Sequence, residues 1–127
     1  MPTRPPVHNA HNRHLDYERH RGSARERGYT KAWDKLALAY RRQHPLCVGC
    51  LAVGRTTLAQ CVDHVLPHRG NLALMWDNTN LQALCMWHHD VVKQILESLH
   101  AHGRIAHSEL KMDSKTAQSI TRQKMRN

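Results

Sequence analysis

The chain has 127 residues, enough for one domain with or without a tail. Its 19 Lys and Arg against 10 Asp and Glu give a formal net charge of +9, which 12 histidines raise further below neutral pH. No stretch approaches the roughly 18–20 apolar residues of a membrane span, and no signal peptide is recognisable, so we expect neither a membrane protein nor a secreted disulfide framework. The excess of positive charge indicates a polyanionic partner, nucleic acid above all, unless the basic surface serves only solubility.

Residues 1–28 are polar and basic, and we interpret them as an N-terminal arm beside the domain. Such an arm either follows a phosphate backbone or is a disordered leader without a role. Residues 29–127 then form the domain, with a core over 45–102 and a helical C-terminal extension over 103–127.

A helix is predicted over residues 29–44, because apolar side chains recur at the spacing i, i+3, i+4 and i+7. The residues of this stripe are Trp33, Leu36, Ala37 and Tyr40, and Pro45 ends the helix. The basic side chains of the helix lie largely off the stripe and face either solvent or DNA.

Two strands are predicted next. The first covers residues 56–66, which are rich in β-branched side chains. The second covers residues 72–76, where Leu72, Leu74 and Trp76 alternate with other residues, and residues 77–80 form a loop after it.

Two more helices complete the prediction. One runs from about residue 88 to residue 101 with an apolar stripe on one face, and Gly103 ends it. The other is basic, covers roughly residues 114–125, and is capped by Asp113 and Ser114.

Four residues between these elements have the spacing of a zinc site. Cys47 and Cys50 form one pair with two residues between them, and Cys85 and His88 form another. Two such pairs complete a tetrahedron of three thiolates and one imidazole with no position left for water, so the predicted Zn²⁺ is structural. It would support a core that is poor in aromatic residues, which make up 5% of the chain. Cys61 has no partner at this spacing and is interpreted as a small core residue.

The segment between the two pairs resembles the HNH (ββα-metal) endonucleases. The resemblance rests on Val62-Asp63-His64-Val-Leu-Pro-His68-Arg-Gly70, Trp76-Asp77, Asn80-Leu-Gln-Ala-Leu-Cys85 and His88-His89, and upstream on residues 21–29 and Trp33. It covers about residues 21–93 and is closest to the small phage HNH endonucleases encoded near DNA-packaging genes. It implies an α+β fold in which a ββα-metal motif with a structural zinc knuckle is flanked by helices.

The resemblance also implies a role for each matching residue. His64 would be the general base that takes a proton from water, and Asp63 and His89 would hold one divalent cation. Asn80 would brace the loop and keep the imidazole of His64 aimed at the water. The second zinc pair ends in His88 where many members have Cys, and imidazole is an accepted zinc ligand.

The chemistry of phosphodiester hydrolysis asks for these residue types independently. It needs an in-line water, a base active near neutral pH, and a cation that stabilises the developing negative charge. One carboxylate and one imidazole suit a sparsely liganded Mg²⁺, Mn²⁺, Zn²⁺ or Ni²⁺. Because neighbouring residues of a strand face opposite sides, we predict a bend or bulge that directs Asp63 and His64 into one cleft.

Three further residues are candidate DNA contacts. His68 and Arg69 follow the predicted base in a turn, where they can meet the scissile phosphate. Lys93 lies one helical turn after His89 on the same face and can touch a backbone phosphate. For all three, an ordinary polar or solvated position is the alternative.

The resemblance implies a metal-dependent endonuclease that nicks or cuts double-stranded DNA, works with phage terminase subunits in genome packaging, and is cytoplasmic (in the host if phage-encoded). The alternative is a non-catalytic zinc-knuckle DNA-binding module, which needs neither His64 nor a second cation. Taken singly, Asp63-His64 is also compatible with a surface pair, Asn80 with a helix N-cap and His89 with a solvated helix residue. No element for reading base edges is evident, so we expect weak sequence specificity.

Overall fold

The computed structural model of the chain describes residues 30–125. The predicted arm over residues 1–28, and the upstream part of the resemblance over residues 21–29, lie outside the described residues. The chain divides into two compact units, Met1–Asp34 and Lys35–Asn127. The second unit contains both described strands and all the candidate site residues.

The first described helix, α1 (Lys31–Gln43), confirms the prediction for this segment. Arg41 and Arg42 in its last turn complement the negative end of the helix dipole. Tyr40 anchors the helix, because its hydroxyl donates a hydrogen bond of 3.1 Å to the carbonyl oxygen of Leu81.

Two short antiparallel strands form the sheet, β1 (Cys61–His64) and β2 (Leu81–Leu84). Their register pairs Cys61 with Leu84 and His64 with Leu81. The predicted strand over residues 56–66 is therefore shorter than expected, and outside β1 it contributes only an isolated bridge between Leu58 and Leu46. All four residues of β2 are buried, as expected for a strand covered on both faces.

The predicted strand over residues 72–76 is wrong. The segment forms a helical turn, α3 (Leu72–Met75), because the side chain of Asn71 caps it by accepting a hydrogen bond from the amide of Leu74. Asp77 caps the following 3₁₀ turn (Asn78–Asn80) in the same way, and its carboxylate accepts from Thr79. Two local caps thus override an alternating apolar pattern.

Among the remaining elements, the two predicted helices over about 88–101 and 114–125 are confirmed in type and approximate position, whereas a short helix at the first cysteine pair and a 3₁₀ turn were not predicted. A five-residue α2 (Val48–Ala52) begins at the first cysteine pair. After β2, a π-helical turn (His88–Val92) leads into α4 (Lys93–Ala101), and Gly103 follows with a φ of 70°. A 3₁₀ turn (His107–Leu110) then precedes the basic α5 (Lys115–Met125).

The result is a small α+β fold whose core includes the predicted zinc ligands. The core consists of buried side chains from α2, β2, α4 and α5 and the segments between them. Its largest fully buried members are aliphatic or sulfur-containing, with Met75, Leu84, Leu96, Leu110 and Met112 foremost. Within residues 30–125, no helix combines the length and the apolar character needed to cross a bilayer.

Candidate metal centre and adjoining site

The four predicted zinc ligands come together in the core. Cys47, Cys50, Cys85 and His88 are all buried, and their ligand atoms lie within 4.8 Å of one another. Nδ1 of His88 is 3.5 Å from Sγ of Cys47, 3.5 Å from Sγ of Cys50 and 3.4 Å from Sγ of Cys85. Sγ of Cys50 and Sγ of Cys85 are 3.9 Å apart.

These distances are those of a tetrahedral metal site. Zinc bonds of about 2.3 Å to sulfur and about 2.0 Å to nitrogen, at tetrahedral angles, place sulfur and nitrogen about 3.5 Å apart and two sulfurs about 3.8 Å apart. The described residues thus provide a closed Cys3His group that can hold a structural metal ion such as zinc. The ion would join α2 to the segment between β2 and α4.

The surroundings of His88 fix the tautomer and the charge of its imidazole, which faces the three thiols. The hydroxyl of Thr121 donates to the carbonyl of Ala117 at 2.8 Å, so it accepts from Nε2 of His88 at 3.1 Å. Nε2 therefore carries the proton and Nδ1 presents its lone pair to the cluster. Burial, and secondarily the positive charge of Arg55, lower the pKa of His88 to about 4, so the ring is neutral at physiological pH.

Thr121 thus orients a metal ligand without touching the metal position. We expect Thr121→Val to weaken zinc binding by about 10- to 100-fold, because such outer partners hold the ring and its tautomer. Competition with a chromophoric chelator measures the change. Thr116→Val is the matched control on α5, because Thr116 bonds Glu109 instead of the cluster. Equal zinc affinities of the two variants would contradict the assignment.

Gly49 allows the close approach of α2 to His88. A Cβ atom at Gly49 would lie 2.4 Å from Cδ2 of His88 and 2.6 Å from Cγ of Met112. These separations are shorter than any van der Waals contact, so only glycine fits between the two cysteines at this position.

Gly49→Ala is expected to destabilise the fold by about 1–3 kcal/mol through overpacking, and to weaken zinc binding because His88 must move. Thermal unfolding with the chelator titration measures both effects. Gly54→Ala is the control: it has open space and a φ of 81°, so it should cost about 1 kcal/mol from backbone strain and leave zinc affinity unchanged. A normal zinc affinity in Gly49→Ala would refute the close-packing argument.

A second group of polar side chains lies where β1 meets the π-helical turn. Oδ2 of Asp63 and Nε2 of His89 are 3.9 Å apart. Nδ1 of His89 is 3.0 Å from Oδ1 of Asp90, so in the neutral ring Nδ1 carries the proton and Nε2 directs its lone pair towards Asp63. Oδ2 of Asp63 is buried and accepts no hydrogen bond from the residues that the structure describes. Two metal bonds of about 2.1 Å reach across this separation at an angle of roughly 136°, so the two groups can share a single cation and would reach the tetrahedral angle by approaching each other by about 0.5 Å.

His64 ends β1 beside this pair and is only 4% exposed. Its Nε2 lies 3.1 Å from the carbonyl oxygen of Met75, which can only accept, so Nε2 carries the proton and Nδ1 is the basic nitrogen. Burial lowers the pKa of His64, which keeps the ring neutral near neutral pH. The expected bulge is not found within the strand, since pairing is one-to-one up to His64; the chain bends immediately afterwards, at residues 65–66.

Asn80 links the segment after His64 to the turn before β2. Its Oδ1 accepts from the amide of Leu66 at 2.9 Å, and its Nδ2 donates to the carbonyls of Leu66 at 2.9 Å and of Leu74 at 3.2 Å. The expected bracing contacts are therefore made to backbone. The alternative interpretation of Asn80 as a helix N-cap is wrong, because a strand follows it.

The three candidate DNA contacts have different positions. The ring of His68 packs edge-on at 4.9 Å from that of His64, and the exposed Arg69 has a left-handed φ of 48°. Strained backbone of this kind concentrates at functional sites. Lys93 instead is 3% exposed and bonds to internal acceptors, so the expected contact with a DNA phosphate does not fit its position.

Sequence reasoning missed the partners that hold these side chains. Thr121 behind His88 and Asp90 behind His89 carry no spacing signal of their own. Only the i, i+4 relation of Lys93 to Glu97 was readable from the sequence.

No family model, no curated protein and no solved structure matches the chain.

Proposed function

We propose that the chain is a metal-dependent endonuclease of the HNH type that hydrolyses phosphodiester bonds in double-stranded DNA. The observation that carries the proposal is the pair formed by Asp63 and His89, 3.9 Å apart, with a buried carboxylate oxygen that accepts no hydrogen bond among the described residues. With the ring of His89 neutral, the lone pair of Nε2 and the carboxylate of Asp63 repel each other, and a cation between them removes that repulsion. The formal net charge of +9 favours a polyanionic substrate.

The roles of the chain's own residues follow from their contacts. Nδ1 of His64 accepts a proton from a water molecule as the water oxygen attacks phosphorus, while the Met75 carbonyl holds the ring through Nε2. Asn80 is a positioning residue, since its side chain fixes the backbone at Leu66, two residues after His64. Arg69 is exposed in the turn that follows His64 and contacts the phosphate of the substrate. A divalent cation held by Asp63 and His89 supplies stabilisation of negative charge on the reacting phosphate.

By the resemblance, the enzyme acts with phage terminase subunits in DNA packaging. Its cation is Mg²⁺, Mn²⁺, Zn²⁺ or Ni²⁺, all compatible with one carboxylate and one imidazole. A test of partnership is co-purification of the chain with a terminase subunit and stimulation of cleavage by that subunit. Absence of both effects would remove this part of the proposal and leave the endonuclease part standing.

The second candidate is a non-catalytic zinc-knuckle DNA-binding module. One observation favours it: Nζ of Lys93 lies 3.5 Å from Oδ2 of Asp63, so the carboxylate has a counter-charge without any divalent ion. In this case Asp63 and His64 would serve the fold alone.

Nicking of supercoiled plasmid by zinc-loaded protein separates the two functions. We expect relaxed or linear plasmid with at least one of Mg²⁺, Mn²⁺, Ni²⁺ or added Zn²⁺, and none with EDTA. Asp63→Asn should abolish cleavage, whereas Asp113→Asn, which changes an exposed carboxylate before α5, should cleave normally. Plasmid that stays supercoiled with every metal but is retarded on a gel would identify the binding module instead.

A further inference from the structure

The ammonium group of Lys93 is buried beside the candidate cation site. It donates to the carbonyl oxygen of His64, lies 2.9 Å from Oε2 of Glu97 and lies 3.5 Å from Oδ2 of Asp63. Lysine is rarely buried unless it is paired, and here Lys93 is 3% exposed. One side chain of α4 therefore contacts both neighbouring residues at the end of β1.

Lys93 and the candidate cation share one carboxylate oxygen. Oδ2 of Asp63 faces Nε2 of His89 at 3.9 Å and Nζ of Lys93 at 3.5 Å, while Oδ1 accepts from the amide of His64 at 2.8 Å. A divalent cation bound at Oδ2 lies within a few ångströms of the ammonium, and like charges at this range repel. Glu97 offsets part of that repulsion because it pairs with Lys93 from the other side.

We propose that Lys93 is a positioning residue that sets the geometry of the site and limits its affinity for the cation. The inference rests on the proposed function. Before the cation binds, the ammonium holds the carboxylate of Asp63 and the backbone of His64 in place. Once the cation is bound, the positive charge of the ammonium weakens its binding. The cation therefore stays exchangeable and depends on the phosphate of DNA for its remaining ligands.

A purely structural role for Lys93 makes a different prediction. A buried ion pair that only supports the fold is satisfied by Glu97, and its loss lowers stability without improving the binding of a divalent cation. The positioning role predicts opposite changes in two quantities, tighter cation binding and slower cleavage, when the charge of Lys93 is removed. Those opposite signs distinguish the two roles.

The experiment is a titration of zinc-loaded protein with Mn²⁺, followed by electron paramagnetic resonance, with the site defined as the binding that Asp63→Asn removes. We expect Lys93→Met to bind Mn²⁺ about tenfold more tightly or better and to cleave plasmid at least about tenfold more slowly. Glu97→Gln should bind Mn²⁺ more weakly than the wild type. Gln94→Met is the control, because Gln94 is exposed on the same helix.

Each outcome of this experiment supports or overturns the proposed role of Lys93. Unchanged or weaker Mn²⁺ binding by Lys93→Met, in a wild type that binds Mn²⁺ and cleaves DNA, overturns the inference and leaves the proposed function intact. A wild type that binds no Mn²⁺ at this site overturns the inference, and one that also leaves plasmid supercoiled with every metal overturns the proposed function as well. If Lys93→Met does not fold, Glu97→Gln decides, since its side chain is 31% exposed: weaker Mn²⁺ binding supports the inference and unchanged binding refutes it.

Discussion

Replacing Cys50 with serine is expected to unfold most of the chain. The ligand set joins α2, the end of β2 and the π-helical turn, and these segments meet in a core that contains the ligands themselves. A structural zinc contributes on the order of 10–16 kcal/mol of apparent binding energy, whereas a domain of this kind is stable by only about 5–15 kcal/mol in total. Losing the metal therefore removes about as much free energy as folding provides.

Far-UV circular dichroism and the zinc content of purified protein measure this effect. The wild type should carry one zinc per chain and unfold when a strong chelator removes it. Cys61→Ser is the matched control, since Cys61 is half-buried in β1 and its thiol contacts the carbonyl of Leu84 instead of the cluster. A folded, metal-free Cys50→Ser variant with a wild-type melting temperature would contradict the account of the centre.

Replacing His64 with alanine is expected to slow plasmid cleavage by about 10²- to 10⁴-fold, the usual contribution of a general base. The variant loses the basic Nδ1 and the bond from Nε2 to Met75, but it keeps the zinc ligands and the pair Asp63 and His89. Affinity for DNA should change little, because phosphate contacts come from cationic side chains.

Single-turnover cleavage and a gel-shift titration on the same preparations give the rate and the affinity separately. His102→Ala is the control, because His102 is an exposed histidine just after the C-terminal end of α4 whose ring contacts the carbonyl of Ser98. Wild-type cleavage by His64→Ala would show that another group is the base, even if the chain is a nuclease. A loss of rate that follows a loss of zinc or of folded structure would have no bearing on catalysis, so zinc content is measured in each preparation.

The zinc ligands were predictable from the sequence because each pair is a local signal. Two residues between ligands leave few geometries, and the structure brings both pairs within 4.8 Å. The strands were harder to predict. Leu72, Leu74 and Trp76 alternate as in a strand, yet the cap from Asn71 stabilises a helical turn there. The true partner of β1 is Leu81–Leu84, where burial does not alternate because all four residues, polar Gln82 included, are buried.

For the candidate cation site formed by Asp63 and His89, the direction of the side chains was the main property that could not be predicted from the sequence. Helical periodicity correctly placed Lys93 near His89. It could not show whether the face that they share meets solvent or the end of β1. Asp63 and His89 are distant in sequence, and their separation depends on how the helix packs against the strand. The partners of Asn80 are backbone groups, which no residue pattern can reveal.

The most direct measurement of the proposed site is anomalous diffraction from crystals of zinc-loaded protein soaked with Mn²⁺. The account predicts a zinc peak inside the Cys3His group and a manganese peak between Oδ2 of Asp63 and Nε2 of His89, about 2.1 Å from each. A saturating soak that leaves the zinc peak alone, with the carboxylate of Asp63 still held by Lys93, would contradict a cation-dependent hydrolytic centre in this chain.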